Sequence, residues 1–114
     1  MVRRLWLVLI LALAASAADF SGRWNFKAFS PEGEDPAKLT ITQDGEKITG
    51  AFDSFRGTYK LEGTVKGLEI RFTVHYTGGE SITVPFTGKL DGDKMAGTFQ
   101  AGEVTGKWAA ERAR

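Results

Sequence analysis

The residues able to do chemistry in this chain are few. There is one histidine, His75, and no cysteine. Without Cys there is no thiol nucleophile and no Cys-based zinc site. Disulfides and a lipid-anchored Cys are excluded for the same reason. Strict alternation over residues 68–76 puts Leu68, Ile70, Phe72, Val74 and Tyr76 on one face and Glu69, Arg71, Thr73 and His75 on the other. His75 therefore points outward. No serine has a recognisable base near it. Glu32, Glu34, Asp35, Asp53, Glu80 and Glu103 fall in segments that read as loops. Paired carboxylates there would suit acid–base or calcium chemistry, but Glu32-Gly33-Glu34-Asp35 lacks the spacing of a calcium loop. A phosphate-cradling Gly loop needs a strand-to-helix turn, and nothing beyond residue 18 has a helical period. The sequence thus points to no catalytic residue, no metal and no cofactor, and to a protein that is not an enzyme.

What remains is an apolar inward face with a few polar handles. Phe26, Leu39, Phe52, Tyr59, Tyr76, Ile82 and Phe99 occupy inward positions toward one end of their strands. Together they are candidates to line a pocket for a small hydrophobic or aromatic ligand. The Tyr59 and Tyr76 hydroxyls and the Trp24 and Trp108 indoles supply polarity. The competing reading is a core filled by side chains. A mostly filled interior with a small cleft at its mouth is the expectation taken forward.

The elements that position these residues are built from one unit used six times: large apolar, any, Gly, any, large apolar. The copies are Phe20–Trp24, Ile48–Phe52, Leu61–Val65, Phe86–Leu90, Met95–Phe99 and Val104–Trp108. Residues two apart share a face of a strand, so each glycine points inward between two apolar side chains. A recurrent glycine inside strands marks tight bending or close backbone approach. Strand one is expected over Phe20 to Ala28, strand seven over Met95 to Ala101 and strand eight over Val104 to Arg112. Tight hairpins are expected at Asp44-Gly45, Lys66-Gly67 and Gly92-Asp93. They pair Ile41 with Ile48, Leu61 with Phe72 (setting Glu62 opposite Arg71), and Phe86 with Phe99. The longer connections, 30–37, 53–57, 77–80 and 101–103, gather at the opposite end as an acidic mouth, the place where binding residues collect on rigid scaffolds. Pro85, at a hydrogen-bonding position opposite Gln100, is expected to end pairing or force a bulge there. Eight short strands joined in sequence read as an all-β, eight-stranded antiparallel up-and-down meander that closes into a barrel. A two-sheet sandwich is the alternative.

The N-terminus reads as a signal peptide over residues 1–18. Arg3-Arg4 is followed by an apolar run from Leu5 to Ala14 and by the small residues Ala15-Ser16-Ala17-Ala18. The run is too short for a transmembrane helix, and a retained anchor is the alternative. Residues 19–114 then form one domain, secreted or periplasmic, with no stable membrane span. Removing Arg3 and Arg4 from fifteen Lys+Arg leaves thirteen against fourteen Asp+Glu, a net charge of −1. With no basic stripe, nothing favours nucleic acid.

Gly22-Arg23-Trp24 on the first strand and Arg112 on the last resemble the signature of the lipocalin-like (calycin) barrels. In those families a first-strand Trp packs beneath a basic residue from the final strand. Together with Gln43-Asp44-Gly45 and Gly106-Lys107-Trp108, the chain is similar to small β-domains of bacterial secreted proteins. Some of those are appended to amidohydrolase-type enzymes and others stand alone. The resemblance implies a clasp of Trp24 by Arg112, and the alternative is a frayed C-terminus with Arg112 in solvent beside Arg114. Avidins share the strand plan, but the inward polar groups that hold biotin are scarce here.

Two functions follow as expectations: a carrier or scavenger of a small hydrophobic ligand, and a protein-interaction module or hydrolase inhibitor with a filled barrel. The leader gives the first prediction. N-terminal sequencing of exported protein should find cleavage after Ala17 or Ala18, and a mature chain starting at Met1 would show a retained anchor.

Overall fold

Among the described residues strand follows strand without a helix. The computed structural model describes residues 18–77 and 81–113. The leader up to Ala17, Gly78–Glu80 of the β5–β6 connection and Arg114 lie outside the described residues. The strands are β1 Gly22–Ser30, β2 Gly33–Asp44, β3 Lys47–Ser54, β4 Gly57–Lys66, β5 Glu69–Tyr76, β6 Ile82–Asp91, β7 Lys94–Ala101 and β8 Val104–Arg112. They form a closed barrel in sequence order. Every neighbouring pair is antiparallel, and β1 pairs with β8 from Trp24↔Arg112 to Phe29↔Lys107. The barrel, rather than the sandwich, is the fold.

Two hairpins differ from expectation by two residues. The loops are Gly45-Glu46 and Gly67-Leu68, so Ile41 faces Gly50, Leu39 faces Phe52, Val65 faces Ile70 and Leu61 faces Val74. Glu62 faces Thr73 and Arg71 faces Thr64. A slip of two residues preserves which face each side chain occupies, so the inward pattern survives while the partners change. The cause is the turn's first loop position. Gly45, Gly67, Gly92 and Gly102 take φ of +67°, +62°, +67° and +65°. Each is the first of two loop residues, and a side chain there is disfavoured. Counting Gly45 and Gly67 as second loop residues would have put Asp44 and Lys66 in that conformation. Leu68 consequently sits in a loop and is exposed. At Gly92-Asp93 the expected register holds, with Leu90↔Met95, Gly88↔Gly97 and Phe86↔Phe99.

The mouth-end connections are also shorter than expected. Ser30↔Gly33, Ser54↔Gly57 and Ala101↔Val104 each flank a two-residue loop. Asp35 and Asp53 therefore belong to strands rather than loops. At the opposite end, Phe20 precedes the first strand instead of opening it. It is fully buried, its N–H donates to Gln43 Oε1 (2.8 Å) and its carbonyl accepts the Trp24 indole N–H (3.0 Å). Residues 18–21 are thus held at this end by hydrogen bonds to β1, β2 and β8.

Pairing between β6 and β7 stops at Phe86↔Phe99, whereas β6 stays paired with β5 out to Tyr76↔Ile82. This is the expected effect of Pro85, which has no N–H to give. On the other side β2–β3 pairing stops at Ala37↔Ser54, where β3 turns into its two-residue loop, while β1–β2 continues to Ser30↔Gly33. The wall therefore loosens twice, both times at the mouth.

The interior holds a continuous apolar cluster with no buried polar or charged residue among those described. Close approach makes room for Trp108, one of its two tryptophans. Gly88 and Gly97 face each other, and a Cβ on Gly88 would stand 2.5 Å from Trp108 Cζ2. The Trp108 indole N–H is shared between the carbonyls of Thr87 (3.0 Å) and Thr98 (3.2 Å). One side chain from β8 thereby ties β6 to β7.

The seam carries the Trp24–Arg112 contact. The Arg112 guanidinium carbon lies 4.3 Å from the Trp24 ring centroid. Its N–H groups donate to the carbonyls of Ser21 (3.0 Å) and Asp19 (3.1 Å) and to Asp93 Oδ1 (3.2 Å). The chain stays paired beyond it, with Ala113 N–H donating to Arg23 O at 2.9 Å. The expected stacking is present and the terminus is not frayed through Ala113. Trp24→Ala should cost about 3–5 kcal/mol, as buried aromatic truncations do, and Arg112→Ala about 1–2 kcal/mol. Arg71→Ala, on the exposed outer face, should stay within about 0.5 kcal/mol of wild type. Urea denaturation of the three variants checks this, and equal losses at Arg112 and Arg71 would remove the clasp.

Candidate ligand site at the barrel mouth

Period-two alternation delivers an aromatic side chain to the same level from several strands. Phe26 of β1 meets Phe52 of β3 edge-on at 5.1 Å and Phe86 of β6 at 5.7 Å. Phe86 meets Phe99 of β7 at 5.4 Å. Below this layer, Trp108 stacks on Phe26 (5.6 Å) and Phe72 stacks on Phe86 (4.8 Å). The deeper barrel is therefore packed with rings. Above the layer lies a cavity of about 200 Å³.

Of the expected site residues, Phe26, Phe52, Tyr76, Ile82 and Phe99 line this cavity. Leu39 does not. It is fully buried, with its Cα opposite those of Trp24 and Phe52, and belongs to the core. Tyr59 does not line it either. Its ring packs on Tyr76 at 4.8 Å, and its hydroxyl donates to Arg56 O at 3.2 Å. It supports the wall from beside the site. Val84, Phe86, Ala28 and Ala101 complete the apolar lining, and Asp35 and Arg56 supply charge at its edge. Alternation already placed Val84 and Phe86 inward. Their depth relative to the cleft had no local signal. Arg56 belongs to the connection 53–57 expected at the mouth, but nothing local marks its side chain as part of the cleft.

Few charges reach the site. The Arg56 guanidinium lies over the Phe55 ring at 5.2 Å. Glu34 points away and pairs with Lys27 at 3.4 Å. Asp53 accepts a hydrogen bond from the Thr58 hydroxyl at 3.1 Å. Of the acidic residues expected around the mouth, Asp35 lines the cavity, and Glu80 lies outside the described residues. Half-buried Tyr76 has its phenol pushed up to about 12, chiefly because burial disfavours the phenolate. Arg56 works against that rise, and Tyr59 and Asp35 add to it.

His75 lies on the outer wall. Its Nε2 is 2.8 Å from Glu62 Oε2 and its Nδ1 3.4 Å from the Thr83 hydroxyl. The acidic partner that strand pairing was expected to give Arg71 thus goes to His75. Among the described residues no group of His, Asp or Glu is arranged to hold a metal ion. Comparison of the chain with models of known protein families and with curated proteins finds no match.

Tyr76 sets an alkaline limit. Its folded-state pKa lies above the value of about 10 expected for an unfolded tyrosine. Its contribution to stability is therefore complete below pH of about 10 and is lost as pH rises toward about 12. Urea midpoints measured across that window should fall more steeply for wild type than for Tyr76→Phe. Parallel slopes would show that the phenol is not held neutral by the fold.

Proposed function

We propose that this is an exported, non-enzymatic binding protein of the lipocalin-like type that carries or scavenges a small hydrophobic or aromatic ligand at its mouth. The observation that supports this most is the cleft itself. It is open at one end, floored by Phe26 and Phe86, and set between the two places where a ladder stops short of the rim. Its size limits the ligand. An engineered cavity of about 150 Å³ takes benzene, and common ligand pockets run from roughly 300 Å³ upward. About 200 Å³ suits one ring or a short chain, not a large lipid. Export is supported by the residue pattern of the leader. The outer wall carries Arg23, Lys27, Glu69 and Arg71, the reverse of the apolar outer band of a transmembrane barrel. No helix among the described residues is long and apolar enough to cross a membrane.

A second reading, an interaction module that binds a protein through its rim, is favoured by the exposure of Phe55 (77%) and Ile82 (51%) at the mouth end. Titration with toluene distinguishes the two. Saturable chemical-shift changes should appear at the methyls of Ile82 and Val84 and vanish in Ala101→Phe, a variant that fills the cleft from its rim. A stably folded wild type with no saturable change would rule out the carrier reading and leave the rim.

A further inference from the structure

The mouth cavity is apolar on its floor and walls and polar along one part of its rim. Two donor groups there, on Tyr76 and Arg56, have no partner among the described residues. Tyr76 lines the cavity, and its hydroxyl has no hydrogen-bond partner among the described residues, whereas the adjacent Tyr59 hydroxyl is satisfied by a backbone carbonyl. A half-buried phenol normally finds an acceptor. Arg56 also lines the cavity. Its guanidinium has no ion pair among the described residues and rests on the face of Phe55. The Tyr76 hydroxyl and the Arg56 guanidinium lie close enough to influence each other electrostatically.

We propose that the cavity selects a small aromatic or short aliphatic monocarboxylate, its apolar body against Phe26, Phe86 and Phe99 and its carboxylate held by Arg56 and Tyr76. The inference rests on the mouth being a ligand site and adds the ligand's chemical class. An arginine fork matches a carboxylate in both shape and charge, and a phenol adds a third donor. The aromatic floor takes a ring edge-on or stacked. Asp35, on the same rim, repels a second carboxylate and so disfavours diacids. Arg56 sits in the two-residue β3–β4 loop, and its backbone carbonyl holds Tyr59. Its side chain can therefore be changed without disturbing that bond.

Calorimetric titration of the exported protein with 3-phenylpropanoate, 3-phenylpropanamide and 3-phenylpropylamine tests the class, since the three share a body and differ in the head. The carboxylate should bind about tenfold or more tighter than the amide, with the amine weakest. Arg56→Gln should reduce the carboxylate to the amide's affinity and leave the amide unchanged. Tyr76→Phe should weaken the carboxylate several-fold, and Asp35→Asn should tighten it. Saturable binding with the amide equal to the carboxylate, or with the amine preferred, overturns the class while the mouth remains a ligand site. A carboxylate preference that persists in Arg56→Gln overturns the role given to Arg56. No saturable binding of any of the three overturns both this inference and the carrier reading beneath it.

Discussion

An eight-stranded meander keeps its edges protected only while its first and last strands stay together. Here β1 and β8 meet in register from Trp24↔Arg112 to Phe29↔Lys107, and the Arg112 guanidinium lies on the Trp24 ring at the end of that seam. Its donors are directed to carbonyls of residues 19 and 21 and to a carboxylate in the β6–β7 hairpin. One cation thus joins the segment before β1, the end of β8 and the turn that leads into the neighbouring strand β7. Loss of this contact would expose two edges at once, and exposed edges pair with other chains. The Arg112 side chain keeps 29% of its surface in solvent, so it makes these bonds without the full desolvation penalty of a buried ion.

The sharp curvature that closure demands is met by glycines where backbones approach. Gly88 and Gly97 let β6 and β7 draw together under the Trp108 ring, which then bonds a carbonyl on each. At the mouth the wall is instead loosened, where β3 turns back while β2 runs on and where Pro85 ends the β6–β7 ladder. The same sheet is therefore tight and plugged at one end and slack at the other. This asymmetry places the mouth cavity beside residues that can meet solvent and ligand.

The hairpins show where local pattern suffices and where it misleads. At Gly92-Asp93 the glycine comes first in the loop by either way of counting, and the register was legible. At Gly45 and Gly67 a residue-Gly dipeptide and a Gly-residue loop share the same letters, and only the left-handed φ at the glycine settles which is present. The mouth connections looked wide because Gly33, Glu34 and Asp35 have loop-like composition. They are strand residues because β1 continues alongside them to Ser30. A neighbouring strand's hydrogen bonds outweigh weak local propensity.

By itself the sequence determined the number of strands, the all-β meander and the inward face of each strand. Those properties follow from a period of two and from a few residue types, both readable one strand at a time. Tertiary structure alone decided depth: that Leu39 is core, that Tyr59 buttresses Tyr76, and that Val84, Phe86 and Arg56 belong to the cleft. The height of a residue inside a closed barrel depends on the register of every strand around it and on the tilt those registers impose. No single strand carries that sum, and two residues with the same local pattern end up one in the packed interior and one at the mouth.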